Sequence, residues 1–338
     1  MKKRIVSVCL TLMLVTVMAA GCGAQKSKED SKVIYNWKGA YVLSENNPGS
    51  DGLKEFARLL EEKSDGRIKA ECYFGGQLGS EKETIEAIQM GSLDFMIAST
   101  ASLSSFTDSQ LLWDLPYLFE SREAARGVLD SDLGKECLDA MKDVKIKGLT
   151  YFENGMYAMC AKEPIESLDD LKGKKIRSHE SKVQADTYIA LGGTSVVIPW
   201  NDCYTALQNG TCDALSSTTV PNMYTAKFHE VAPYITMTEH VYSPVPLMMS
   251  KNVWDSLPED IQDIVMESAE EAKQVERDAV IESEENCKKE MEKEGAQFIE
   301  IDKKTWIEKA QKVYDQYVGK GGIDADLVNR IKEEAKKY

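Results

Sequence analysis

The sequence predicts an α/β fold of two lobes facing each other across a hinge cleft, with one long helix bracing both. Three observations carry that expectation. Helical and strand-like segments alternate from Val33 to about Ser250, the order expected of layered α/β architecture. An octapeptide pattern occurs twice, as Ala87-Ile-Gln-Met-Gly91-Ser-Leu-Asp94 and as Ala206-Leu-Gln-Asn-Gly210-Thr-Cys-Asp213, both times between a helix and a strand. Beyond Ser250, Ile261, Ile264, Val265, Ala269, Ala272, Val275 and Ala279 keep a helical period, with no glycine or proline between Pro258 and Gly295.

The elements of the first lobe follow from local chemistry. Leu53, Phe56, Ala57, Leu59 and Leu60 give Gly52–Lys63 one apolar helical face, and Ser64-Asp-Gly66 breaks it. Residues 67–73 alternate as a strand does. Ser80 and Glu83 form a capping box for a helix over 81–90, Gly91 stops it, and 93–98 reads as the next strand. The second lobe repeats this. A strand over 174–177 leads to a helix ending at Gly192-Gly193; Asn201 or Asp202 caps a helix through Gln208; Gly210 stops it before a strand at 212–215. Two such lobes suit a protein that closes over a small ligand, because strand ends and helix N-termini face the cleft.

The N-terminus carries Lys2, Lys3 and Arg4, an apolar run from Ile5 to Met18, then Ala19-Ala-Gly-Cys22. The run is too short for a spanning helix and has the layout of an export signal. The end of the leader resembles the lipobox of bacterial lipoproteins, which implies a signal peptide over 1–21 and a lipidated Cys22. Polar residues through Lys32 form a flexible tether over 22–32. The lobes are expected at 33–154 plus about 243–282, and at 155–242 plus about 283–338.

Formal net charge is −15, which argues against nucleic acid and anionic lipid as electrostatic partners. An anionic ligand would need a locally placed cation. The six cysteines beyond the leader and Cys22 lack metal spacing and read as buried thiols, with a Cys203–Cys212 disulfide left open. His179, His229 and His240 are too dispersed for a metal site. Neither a nucleophile elbow, a phosphate loop nor a zinc-protease motif occurs, so a binding protein without metal or cofactor is expected rather than an enzyme.

From Val33 to Leu257 the chain resembles the substrate-binding proteins of tripartite ATP-independent periplasmic (TRAP) transporters, of the dicarboxylate-binding type. The segments that carry the resemblance include Gly76-Gln-Leu-Gly79, Leu115-Pro-Tyr-Leu-Phe119, Lys172-Gly-Lys-Lys-Ile-Arg177, Trp200, Tyr204-Thr-Ala-Leu-Gln208 and Trp254 through Pro258. The resemblance implies an extracytoplasmic receptor that captures a small organic acid and delivers it to two membrane permease subunits driven by an ion gradient; a monomer is the default for a receptor that must visit a permease. It also implies that Arg177 grips a carboxylate, as a planar guanidinium fork does well. Where many relatives have a second arginine, this chain has Met156-Tyr157, so a monocarboxylate such as a sugar acid, keto acid or aromatic acid is favoured over a dicarboxylate. Ser99, Thr100, Tyr157, Trp200, Ser217, Thr218 and His240 complete the expected contacts. Service to an ATP-driven importer or to a membrane sensor kinase is the alternative.

Overall fold

The computed structural model describes residues 35–338; the leader, the tether and Cys22 lie outside them. Two sheets form the frame. The first contains β1 (Tyr35–Ala40), β2 (Ile68–Tyr73), β3 (Phe95–Ile97), β4 (Ile146–Met156) and, returning late in the chain, β10 (Tyr242–Ser250), in the order β2-β1-β3-β10-β4. The second contains β5 (Ala158–Ala161), β6 (Lys175–Ser178), β7 (Thr194–Val197), β8 (Ala214–Thr218), β9 (Tyr234–Thr236) and β11 (Gln297–Ile299), in the order β11-β9-β5-β8-β6-β7. In each sheet a parallel trio (β2-β1-β3 and β8-β6-β7) meets antiparallel strands. Helices cover both faces, so each sheet lies between two apolar clusters.

The local expectations hold closely. Ser80 and Glu83 close their capping box on the helix Glu81–Met90, and Gly91, Gly192 and Gly210 end their helices in the left-handed conformation. The first long helix begins earlier than its apolar face suggests, at Pro48. There the Asn47 side chain accepts a hydrogen bond from the Gly49 N–H, and proline occupies the first helical position, where its missing N–H costs nothing. The cap expected from Asn201 or Asp202 is absent. Residues Trp200–Asp202 form a short 3-10 turn, so Asp202 already has helical backbone and its side chain makes no capping bond.

The chain passes between the sheets three times. β4 runs into β5 through Tyr157 alone; residues 237–241 lead from β9 back to β10; and the helix Glu259–Lys293 spans both lobes without a break over 35 residues, about 52 Å. Its first half, from Ile261 to Ala272, is buried in the core beside the first sheet, while Cys287 and Met291 are buried in that of the second. Between them, polar side chains fasten it to the hinge. Arg126 grips Glu153 of β4 with bonds of 2.9 and 2.6 Å, Tyr242 of β10 donates to the same carboxylate, and the Glu153 N–H donates to Glu276 of the long helix at 3.2 Å. The helix Ala325–Ala335 packs on Arg122–Asp130 beside the first sheet, with Ile331 in that core, although the whole tail from 283 was expected with the second lobe. Connectivity through β11 keeps the earlier part of that tail on the second sheet. All six cysteines among the described residues are free, Cys203 and Cys212 included.

Candidate ligand-binding site

The carboxyl ends of β1, β3 and β4 face those of β6 and β8 across a narrow cleft. A cavity there is lined by Tyr41, Glu81, Ser99 and Asn154 from the first lobe and by His179, Trp200, Ser217 and Asn222 from the second, among others. Its volume is about 20 Å³, room for one water. The lobes touch directly around it. Asn47 Nδ2 donates to Asn222 Oδ1 at 2.7 Å, Gln184 Nε2 to Asp114 Oδ1 at 2.8 Å, and Ser102 Oγ to Glu180 Oε2 at 3.3 Å. A solute of several carbons does not fit this cavity with the lobes as they stand.

Arg177, on β6, is completely buried just behind this lining. Its Nε donates to the Ile198 carbonyl at 2.9 Å, Nη1 reaches the Ser217 carbonyl at 3.5 Å and Nη2 reaches His179 Nδ1 at 3.4 Å. The guanidinium carbon stands 6.0 Å from the Trp200 ring centre. Three of five N–H donors are thus used, two of them at long range. Among the described residues no carboxylate lies within ion-pair distance of it. Such an arrangement is costly, since a buried charge is normally paired.

The other expected contacts divide. Ser99, Trp200 and Ser217 line the cavity. Ser99 donates through both its N–H and Oγ to Glu81, and Ser217 is held in the left-handed region at φ 60°, which turns its carbonyl toward Arg177. Trp200 packs on Phe228 with ring centres 5.0 Å apart and presents the rest of its surface to the cleft. Thr100 and Thr218 are buried and do not line the cavity; the Thr218 hydroxyl has no partner.

Tyr157 and His240 sit at the two strand crossings of the hinge, not at the cavity wall. Their rings are 5.9 Å apart, and Ser243 donates to the Tyr157 hydroxyl at 3.2 Å. His240 is boxed by Thr238 Oγ1 at 2.8 Å, Tyr188 Oη at 3.3 Å and Ser216 Oγ at 3.4 Å, and burial lowers its pKa to about 3. Tyr188 continues to Ser217, Gln184 and Asp114 at 2.6, 2.6 and 2.8 Å. Burial raises the Asp114 carboxyl to about 7, against the hydrogen bonds from Ser181 and Gln184. One buried chain of polar groups thus joins the hinge to the carbonyl that faces Arg177.

Several cavity residues escaped sequence reasoning: Tyr41, Glu81, Asn154, His179, Glu180 and Asn222. Glu81 is the first residue of its helix and accepts from the Ser99 N–H at 2.9 Å and from the Ser99 and Ser102 hydroxyls at 2.9 and 2.6 Å. Burial and then Arg177 lower the His179 pKa, which keeps the ring neutral near pH 7. Burial opposes ionisation of Glu180, but His179 and Arg177 outweigh it and hold that carboxyl well below its usual range. The available signal was the polar string Ser178-His-Glu-Ser181 directly after Arg177. Among the described residues no cluster of metal-ligating side chains is present, and no helix is long and apolar enough to cross a membrane.

The chain is similar to proteins of known family. Residues 39–320 match the family model described as bacterial extracellular solute-binding protein, family 7. The C4-dicarboxylate-binding protein DctB of Bacillus subtilis is 29% identical over 326 residues, covering 91% of this chain and 93% of its own. A TRAP periplasmic solute binding protein from Xanthobacter autotrophicus, solved with β-D-galacturonate, superposes with a TM-score of 0.85 at 29% identity, covering 88% of this chain and 99% of that one. A sugar acid binding protein from Advenella mimigardefordensis, solved with galactonate, gives a TM-score of 0.85 at 28% identity, with 90% and 98% covered.

Proposed function

The chain belongs to family 7 of the bacterial extracellular solute-binding proteins, the substrate receptors of TRAP transporters, and from that premise we propose that it captures a small organic acid by closing its lobes on a carboxylate held by Arg177. One observation carries this reading: Arg177 is wholly buried beside the cleft, with donors to spare and no acid partner among the described residues. A ligand carboxylate would supply the missing charge through two parallel hydrogen bonds. Small outward shifts of His179 and Ser217 bring the guanidinium to the cavity. Trp200 forms one wall, and the Asn47–Asn222 contact latches the closed form.

The receptor works outside the cytoplasm and hands its cargo to two membrane permease subunits, as a monomer that visits them. The cationic start, the apolar run and Ala19-Ala-Gly-Cys22 support a lipid anchor on Cys22. The lobe division at 154/155 and near 242/243 has the support of the two strand crossings.

Thermal unfolding against a panel of organic acids tests the proposal. A ligand at 100 times its dissociation constant adds about 2.7 kcal/mol, a shift of a few degrees in a chain this size. A carboxylate that raises the midpoint in the native protein and not in Arg177→Ala is the expected result. Shifts with neutral sugars alone, or an undiminished shift in Arg177→Ala, would remove Arg177 from the site. Mass spectrometry of protein extracted from membranes, with diacylglycerol found or missing on Cys22, decides the anchor.

A further inference from the structure

We propose that capture of the acid is coupled to the uptake of one proton at Asp114 Oδ2, so that the lobes close on an acid and a proton together. The inference rests on the reading of the cleft as one that closes over a carboxylate at Arg177, and adds the proton as a second condition for closure.

Asp114 ends the short 3-10 segment Asp108–Asp114 of the first lobe and is 1% exposed. The helix Lys182–Leu191 of the second lobe packs against that segment. From it, Gln184 Nε2 donates to Asp114 Oδ1 at 2.8 Å, and Ser181, which caps the helix, stands beside the carboxyl. The Gln184 amide is held in that orientation by Ser217, whose Oγ donates to Gln184 Oε1 at 2.6 Å. The carbonyl of the same Ser217 is the one that Arg177 Nη1 reaches. Oδ1 of Asp114 is thus an acceptor, while Oδ2 has no hydrogen-bond partner among the described residues. A proton drawn from solvent onto Oδ2 breaks no hydrogen bond and removes an unpaired buried charge.

No cation offsets that charge. Among the described residues none comes within ion-pair distance of Asp114; Lys182 on the facing helix pairs with Asp108 at 3.4 Å, and Asp186 there accepts from Gln316 and Tyr317. Arg177 lies beyond Ser217 and Gln184. Around the segment, burial keeps Cys137, Tyr151, Tyr157, Tyr188 and Tyr242 protonated and His240 neutral near pH 7. The helix Thr100–Leu103, which also packs on it, carries no titratable side chain.

Burial outweighs the hydrogen bonds and raises the Asp114 carboxyl to about 7. The second lobe supplies part of that burial, so parting the lobes admits water and returns the carboxyl toward its ordinary value of about 3.9. Between the two values the parted form is charged and the closed form neutral. Each closure there takes up a proton, and falling pH favours closing. His179 works in the opposite sense. It is charged below about 6.5 when hydrated and neutral in the closed site, so it releases a proton on closing. A comparison in which His179 cancels isolates Asp114.

Isothermal calorimetry with galacturonate and succinate as probe acids, each in two buffers of different ionisation enthalpy, reads affinity and proton uptake together. At pH 6 the native protein should take up about one proton more per acid bound than Asp114→Asn, in which His179 contributes equally. The ratio of native to variant affinity should rise about 30-fold between pH 8 and pH 5.5. An aspartate that merely braces the lobes would change affinity by the same factor at every pH and leave the proton counts equal. That result overturns the inference, and the Arg177 reading stands. Should Asp114→Asn unfold, the native protein carries the test at pH 7, where net uptake of protons is expected and no uptake, or net release, overturns it. Acid binding with the expected uptake that survives in Arg177→Ala would remove the Arg177 reading alone. If no carboxylate binds the native protein, both fall.

Discussion

Asp94 and Asp213 hold the same position in the two lobes. Asp94 Oδ2 accepts from the Lys38 N–H at 2.7 Å and Asp213 Oδ2 from the Lys175 N–H at 2.8 Å; in return each aspartate N–H donates to that lysine's carbonyl. The glycine three residues before each is nearly superposable, at φ 77°, ψ 20° and φ 73°, ψ 22°. The repeated octapeptide is thus a repeated bond pattern, pinning the strand after each helix to the neighbouring parallel strand. Replacing either aspartate by alanine should cost about 1–2 kcal/mol of stability, with the double variant near the sum and ligand affinity unchanged. Urea unfolding checks this, and strong non-additivity would show that the lobes do not behave as separate copies.

Arg177→Met should make the empty protein more stable. The guanidinium is buried without an acid partner, and removing such a charge relieves its desolvation cost. The same substitution should abolish the stabilisation given by ligand. Arg177→Lys should keep the charge and lose at least tenfold in affinity, because an ammonium cannot form two parallel bonds. Thermal midpoints with and without acid read both effects; an Arg177→Met protein less stable than the native one would mean the guanidinium already has all the partners it needs.

The Asn47–Asn222 bond joins the lobes in the closed form. Asn47 also caps a helix, so Asn222→Ala is the cleaner probe. Losing one neutral hydrogen bond of about 1 kcal/mol should raise the dissociation constant about fivefold, almost wholly through faster release. Stopped-flow dissociation separates this from slower capture, which the closed-form latch does not predict.

Stability should fall more steeply with acid in Asp114→Asn than in the native chain. His240, held near pKa 3, takes no proton in the folded state, whereas the unfolded chain binds one below about 6.5, so stability falls as pH drops. His179, lowered in the same direction, adds to that loss. Asp114, near 7 when folded and about 3.9 when unfolded, acts oppositely: between pH 7 and 4 the folded state holds a proton that the unfolded state lacks. Removing the Asp114 contribution should steepen the acid loss by up to about 1.4 kcal/mol per pH unit. Denaturant midpoints between pH 7 and 4 test the slope, and identical slopes in the two proteins would place the carboxyl at an ordinary pKa.

Arg126→Ala should be among the most damaging changes outside the cleft. Glu153 is buried at the root of the hinge, and without Arg126 it keeps only Tyr242 and the edge of Arg122, 3.5 Å away. Breaking a buried pair on one side costs about 3–5 kcal/mol. Calorimetric unfolding should show it, and a loss below about 1 kcal/mol would mean the pair is screened by water.

The elements written by neighbours in sequence were legible in advance: the Ser80–Glu83 box, the three stopping glycines, the uninterrupted helix and the duplicated Asp94 and Asp213. The motif around Arg177 singled it out in advance, and its burial beside the cleft is what the proposal adds. Glu81, Asn154 and Asn222 were not, because each is an ordinary polar residue until β1, β3, β4, β6 and β8 bring their ends together. Tyr157 and His240, expected at the ligand, lie off the cavity wall for the converse reason. They flank segments that point at the cleft, yet those segments are the crossings between lobes, where aromatic bulk fills the hinge.

The unpaired Arg177 reaches beyond recognition into the protein's lifetime. An empty receptor carries its charge unmatched, while a loaded one gains both the partner and the closed lobes. Each kcal/mol so gained lowers the transiently opened population about fivefold, and opened chains are what proteases cut when reclosing is fast. On the proposed role of Arg177, filled copies therefore outlast empty ones. The standing number of receptors then follows the supply of their ligand, without any change in their synthesis.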